Sequence, residues 1–357
     1  MKKYSILFMA IATILFISCS KDDNDYDDGT WSTVEMTVNV TKVPMKIWTA
    51  GTGNGEKMHT DWGDGSIESD LQNAWIHTYT TPGNYKITMK VKNMTYAQVY
   101  YYYSSIYFKD CPDLEMIKSV MHYGAGDTLH VPKTVTLENC PNLTVASFVS
   151  QNVTSLEIKN CPQIKYLYID YHQLSSLNLD LPLLEELDCS DGALKELDLS
   201  HFPALKTLNC SANEFSDIDL KNCSNLVELD CSHNQLTELN FNGCNKLESI
   251  DCSNNMLITL NLNDCKNLKE ICCNDNELIE LTLEKLIDLE KLNCFSNKLT
   301  EIDISNNTKL KHVKCKKDYN YNEKDKYLKT IWVWDGFDPS TFDEWLVPEG
   351  VECKIKQ

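Results

Sequence analysis

The chain has 357 residues and a formal net charge of −19. Such a balance keeps a protein soluble, disfavours nucleic acid and anionic lipid as partners, and tolerates basic ones. Beyond the amino-terminal segment nothing is long and apolar enough for a transmembrane helix, so a multi-span membrane protein is not expected.

The chain begins MKKYSILFMAIATILFISCS, with Lys2 and Lys3 ahead of an apolar run over 6–17 and then Ser18-Cys19. The run is too short to span a bilayer and reads as a signal peptide over 1–18. It resembles a bacterial lipoprotein signal, which implies lipidation of Cys19, although Phe16-Ile17 stand where Leu-Ala or Leu-Ser is more typical. The alternative is an ordinary secretory signal with an incidental cysteine. Residues 19–29 form an acidic flexible tether by composition. Its run Ser20-Lys21-Asp22-Asp23-Asn24-Asp25 also resembles the export signal of Bacteroidetes surface lipoproteins. That resemblance implies a lipid-anchored chain on the outer membrane, exposed at the cell surface.

Residues 30–92 read as short strands over 33–40, 45–49, 75–79 and 85–91, with turn signals at Asp61-Trp62-Gly63-Asp64-Gly65 and Thr81-Pro82-Gly83-Asn84. Asp61 and Asp64 are read as side chains capping their own turn rather than calcium ligands. Through Trp62, Gly63, Asp64, Gly65, His77, Tyr79, Pro82, Gly83 and Tyr85 the region resembles a PKD domain. That implies an immunoglobulin-like β-sandwich acting as a spacer or weak binding module. Residues 93–113, with Tyr100-Tyr101-Tyr102-Tyr103, read as a linker and a strand that caps the open end of a stacked-repeat region.

That region runs from 114 to 330. Cys189, Cys210, Cys231, Cys252, Cys273, Cys294 and Cys315 recur every 21 residues. Apolar residues stand five and two positions before each, as in Leu226/Leu229 and Leu247/Ile250, and Asn213, Asn234, Asn255, Asn276 and Asn297 stand three after. The unit is LxxLxCxxNxLxxLxLxxCxx. Its fourth and sixth positions point inward and its third, fifth and seventh outward, which is a strand. The second apolar run, such as Leu236, Leu239, Phe241, alternates likewise. Strands or extended segments are therefore expected on both faces, with little helix. Roughly ten units stacked at about 4.8 Å give a rod of about 50 Å. The asparagines are assigned to backbone satisfaction at the bend. These columns resemble leucine-rich-repeat proteins of the internalin type, in their cysteine-ladder variant, which implies binding of other macromolecules, usually on the concave face.

Of 16 cysteines, Cys19 is assigned to lipid and seven form the ladder. Cys111, Cys140, Cys161, Cys223, Cys244 and Cys265 form a second column. In-register Cβ atoms near 4.8 Å are too far apart for disulfides, so these thirteen thiols are read as buried small hydrophobes. Cys272 is predicted to be an exposed thiol. Cys353, in a carboxy-terminal cap over 331–357, is predicted to lie near Cys315, the first place to look for a disulfide.

No nucleophile–base pair, zinc motif, phosphate loop or dinucleotide fingerprint is present, so neither catalysis nor a cofactor or metal is expected. The alternation exposes a graded strip: Tyr166 and Tyr168, then Glu186, Asp188, Glu228, Asp230, Asp251 and Glu270, then Lys291, Phe295, Lys314 and Lys316. The reading is a mainly β, monomeric, non-catalytic adhesion lipoprotein that binds a macromolecule, a protein above all, on this concave strip. The competing readings are a glycan-capturing surface lipoprotein, using Tyr166, Tyr168, Phe295 or the tyrosine-rich strand, and an accessory subunit of a secreted enzyme system. Against all of them stands the view that these polar residues are solvated strand positions only.

Overall fold

The computed structural model describes residues 30–41, 43–49, 58–69, 75–100, 103–120, 133–148, 153–317 and 327–356. The signal segment, Cys19, the tether, Tyr101, Tyr102 and residues 121–132 lie outside the described residues.

The amino-terminal strands are β1 (Trp31–Val40), β2 (Met45–Thr49), β3 (Met58–Asp61), β4 (Ile67–Ser69), β5 (Trp75–Tyr79) and β6 (Gly83–Lys92). Strict alternation in β1 buries Val34, Met36, Val38 and Val40, as expected of a half-buried strand. β1 pairs antiparallel with β6, β6 with β3, and β3 with β4, while β2 and β5 form a separate pair. The turn between β3 and β4 is held by its own acids. Asp61 Oδ1 accepts from Gly63 N at 2.9 Å and Asp64 Oδ1 from Ser66 N at 3.0 Å. Asp64 Oδ2 meets His77 Nε2 at 2.7 Å, and the His77 ring stacks on the buried Trp62. Tyr79 donates its hydroxyl proton to Trp62 O. The motif residues are thus mutually occupied, and both carboxylates cap turn N–H groups.

After β6 the chain winds between two sheets. β7 (Tyr96–Tyr100), β9 (Met116–Val120), β11 (Val145–Ser147), β13 (Tyr166–Tyr168), β14 (Glu186–Asp188), β15 (Thr207–Asn209), β16 (Glu228–Asp230), β17 (Ser249–Asp251), β18 (Glu270–Cys272), β19 (Lys291–Asn293), β21 (His312–Lys314) and β23 (Glu344–Leu346) form one twelve-stranded sheet. From β7 to β23 every pairing is parallel. Its register is unstaggered: Glu186, Thr207, Glu228, Ser249, Glu270 and Lys291 stand in line. On the opposite side β8 (Ser105–Lys109), β10 (Thr134–Glu138) and β12 (Ser155–Lys159) are parallel neighbours at one end. β20 (Glu301–Asp303), β22 (Thr330–Val333) and β24 (Glu352–Ile355) are so at the other. Between them that side is extended chain with one bridge, Asn240 to Asn261. Among the described residues there is no α-helix, only short 3-10 turns such as 199–201 and 339–341. A turn of 21 residues is used up by two extended runs and two bends. The molecule is a mainly β, leucine-rich-repeat solenoid of about eleven turns.

Two junctions were not legible in advance. β1 pairs antiparallel with β8, so one seven-stranded sheet runs from β4 through β1 into the solenoid. At the far end, β22, β23 and β24 extend both sheets, so residues 330–355 add a further turn to the stack. Trp334, Phe337, Phe342 and Trp345 cluster there with ring centroids 4.9–6.3 Å apart.

All thirteen column cysteines are buried and unbridged. The bend after each long-sheet strand is a left-handed residue: Asp191, Ala212, His233, Asn254, Asp275 and Ser296 have φ between 52° and 55°. The asparagine follows it. Asn255 Nδ2 donates to Cys231 O at 3.0 Å and Cys252 O at 3.1 Å, and Oδ1 accepts from Leu236 N at 3.0 Å. Asn213, Asn234, Asn276 and Asn297 repeat the set. One amide therefore ties two turns together where neither has a ladder partner.

The column has one break. Gly192 occupies the asparagine position after Cys189, and His172 the position one turn earlier. A Cβ on Gly192 would lie 2.2 Å from the His172 ring. The imidazole fills that space: Nδ1 accepts from Leu174 N at 3.0 Å, and Nε2 lies 3.2 Å from Cys189 O. This requires the Nε2–H tautomer, neutral, and burial lowers the His172 pKa accordingly.

Candidate binding face of the long sheet

Each short strand from β13 to β18 buries its middle residue and half-exposes its first and third. The sequence-derived strip is therefore on one face. Tyr166, Tyr168, Glu186, Asp188, Glu228, Asp230, Asp251 and Glu270 stand in two parallel columns, in register.

The acids of the inner column are Asp188, Asp230 and Asp251. Each caps the bend ahead of it: Asp188 accepts from Ser190 N, Asp230 from Ser232 N and Asp251 from Ser253 N, at 2.9–3.0 Å. Asn209 makes the same cap to Ser211 N at 3.1 Å. A neutral amide thus does the structural task, and the negative charge is surplus to it. That surplus is costly. Burial, then the neighbouring Asp251, raises Asp230 to about 6. Burial, then Asp188, raises Asp170 to about 6. Asp188 and Asp251 are also raised by burial, as are Glu186 and Glu228. None of Asp188, Asp230 and Asp251 has a lysine or histidine ion-pair partner among the described residues. Burial in a poorly solvated setting explains the direction, and a nearby acid adds to it at Asp170, Asp188 and Asp230.

Four expectations need correction. The seventh positions do not simply point outward: Ser190, Ser232, Ser253 and Asn274 are buried, because the chain already bends there and period two ends. Asp170, Ser211, Phe295 and Lys316 of that column stay half-exposed, with Lys317 Nζ 5.5 Å from the Phe295 ring centre. Two of the three lysines of the basic end are neutralised: Lys291 pairs with Glu270 at 2.7 Å and Lys314 with Glu344 of β23 at 2.9 Å. Cys272 is half-buried rather than fully exposed, and burial beside Asp251 and Glu270 raises its thiol to about 12, which favours the protonated form. Cys353 lies near enough to Cys315 for that thiol to act on it electrostatically, but it is free and exposed on β24 opposite Ile331, and the sulfur of Cys315 faces that of Cys294 at 3.7 Å instead.

The aromatic end is more closed than its composition suggests. Tyr168 is hydrogen-bonded to the Glu186 carboxylate, and burial with that bond raises its pKa. Tyr103 is buried. The chain has no arginine, so its cations are point charges without the planar fork that grips carboxylates or phosphates. No group of three or more His, Cys, Asp or Glu suited to a metal ion occurs among the described residues.

No family model matches the chain, and no curated protein matches it. Solved structures do resemble it. The functional domain of InlJ from Listeria monocytogenes, which includes a cysteine ladder, is 24% identical over 75% of this chain and 57% of that one, with a TM-score of 0.49. The chain thus spans little more than half of that domain. A leucine-rich-repeat protein of Leptospira interrogans is 15% identical over 68% of this chain and 72% of its own, at 0.43. The internalin inlF of Listeria monocytogenes is 13% identical over 64% and 86%, at 0.42.

Proposed function

We propose that the chain is a non-catalytic adhesion lipoprotein, anchored through lipid on Cys19 and displayed at the cell surface, that captures a basic protein on the long-sheet face. Residues 30–92, read as a PKD-like spacer, hold that face away from the membrane. One observation carries the reading: the column Asp188, Asp230, Asp251 keeps a charge that Asn209 shows to be unnecessary for the cap. An uncompensated charge retained at a cost to stability is the mark of a surface shaped for a partner. The absence of arginine and the neutralised lysines leave the strip acidic from Glu186 to Asp251, which sets the sign of the partner.

The test is capture of extracellular proteins by the soluble chain from Tyr26, beside the same chain with Asp230→Lys and Asp251→Lys. The wild type retains basic proteins and the reversed chain loses them; equal capture by both refutes the face. Cys19→Ser releases the protein from the membrane fraction, and unchanged fractionation refutes the anchor.

A further inference from the structure

A second surface lies away from the acidic strip, where the amino-terminal strands meet the first turns. β1 pairs with β8 only from Thr33 onward, so Trp31 projects beyond the end of β8 and is 45% exposed. It forms a ridge between two open grooves. One, of about 530 Å³, is lined by Thr30, Asp110, Pro112, Asn139, Pro141 and Asn160. The other, of about 440 Å³, is lined by Thr33, His59 and Lys90.

The floor of the larger groove is ordered. Asp110, Asn139 and Asn160 each follow a strand end on β8, β10 and β12, in left-handed conformation with φ of 52°, 56° and 56°. Asn160 Nδ2 donates to Asn139 Oδ1 at 2.8 Å, and Asn139 Nδ2 to Asp110 Oδ1 at 2.7 Å. These bonds fix the planes of the side chains and leave hydrogen-bonding capacity over. Each amide has a second N–H, and Asp110 Oδ2 and Asn160 Oδ1 accept nothing within the described chain. The array repeats at the strand spacing, about 4.8 Å, beside a flat exposed indole and two proline rings.

We infer that this groove binds a neutral oligosaccharide chain, one pyranose face stacked on Trp31 and successive hydroxyls met by Asp110, Asn139 and Asn160. Sugar rings offer an apolar C–H face and a rim of paired donors and acceptors, which is the complement of an indole beside fixed amides. A peptide is the poorer fit, because the groove is open and lined by Pro112, Pro141 and short polar side chains, with no deep side-chain pocket. The site is independent of the acidic strip, so the protein would hold a glycan and a basic protein at once.

Calorimetry of the full chain with cellohexaose, maltohexaose, mannohexaose and chitohexaose tests the inference. At least one binds with saturating heat. Trp31→Ala weakens it about tenfold or more, and Asn160→Ala about threefold, both with unchanged circular dichroism because both side chains are exposed. Asp230→Lys/Asp251→Lys leaves the sugar affinity as it was, which separates this site from the proposed protein-binding face. Three results overturn the inference: no heat with any of the sugars at millimolar concentration, affinity unchanged in Trp31→Ala, or a proline-rich peptide occupying the groove while the sugars do not.

Discussion

Two columns on the same turns, three residues apart, treat charge in opposite ways. In the column just before each strand, signs alternate and pair: Lys165 and Lys206 both reach Glu185, at 3.3 and 2.6 Å, and Lys269 reaches Glu248 at 2.6 Å. In the column of Asp188, Asp230 and Asp251, Asp230 stacks directly on Asp251 and Asp188 follows across Asn209, all more deeply buried and without an ion-pair partner among the described residues. The fold therefore has a ready means of neutralising stacked charge, one turn to the next, and leaves it unused on one face. Exposed pairs such as Lys206–Glu185 contribute little to stability, whereas an unpaired half-buried acid subtracts from it. The contrast separates positions kept for the fold from positions kept for a ligand.

Substitutions probe that contrast, starting with those that disrupt the framework both columns share. Gly192→Ala drives a methyl group into the His172 ring and should cost about 3 kcal/mol or more, read as a lowered urea midpoint. Asn255→Ala strands Leu236 N and two cysteine carbonyls, and about 3 kcal/mol is expected from the unmet groups. Retained stability in either variant would mean that the bend is not the keystone described. Asp230→Asn should act in the other direction. It keeps the cap, as Asn209 does, and removes the repulsion, so the chain gains about 1–2 kcal/mol at pH 7. Glu185→Gln, in the paired column, should lose less than about 1 kcal/mol.

pH distinguishes the same two classes. Asp230 and Asp170 are raised to about 6 in the folded chain, above the ordinary value near 3.9. Between those values the folded state binds more protons than the unfolded, so their contribution to stability rises as pH falls from 7 toward 4. The buried His172 runs the other way. Its pKa is lowered in the folded chain, so its contribution is full above the unfolded value near 6.5 and is lost as pH falls below it. Asp230→Asn should therefore remove part of the acid-side gain, and His172→Asn part of the acid-side loss. Urea titrations between pH 4 and 8 read both.

Much of this was legible in the chain, and the same physics marks where legibility ends. A 21-residue period in Leu226, Leu229, Cys231 and Asn234 fixes strand, bend and inward face, because each turn meets only copies of itself. The outward columns came from alternation. Alternation fails at the seventh position, where Ser232 and Ser253 turn inward, since the left-handed residue after them has already redirected the chain. The neutralisation of Lys314 was hidden because its partner, Glu344, lies in a non-repeating turn. The pairing of β1 with β8 was hidden for the same reason: nothing periodic encodes an antiparallel neighbour some seventy residues away. The His172–Gly192 exchange was visible in principle, as a histidine and a glycine each standing three residues after their ladder position, but a unit of 20 residues masked the alignment.

The most direct test measures stability and affinity on one protein. With Asp230→Asn and Asp251→Asn together, urea unfolding at pH 7 should show a more stable chain. Calorimetry with a lysine-rich peptide should show affinity reduced about tenfold or more, while Glu185→Gln binds as the wild type does. A doubly substituted chain that is more stable and still binds the peptide with undiminished affinity would show that the stacked acids serve no ligand.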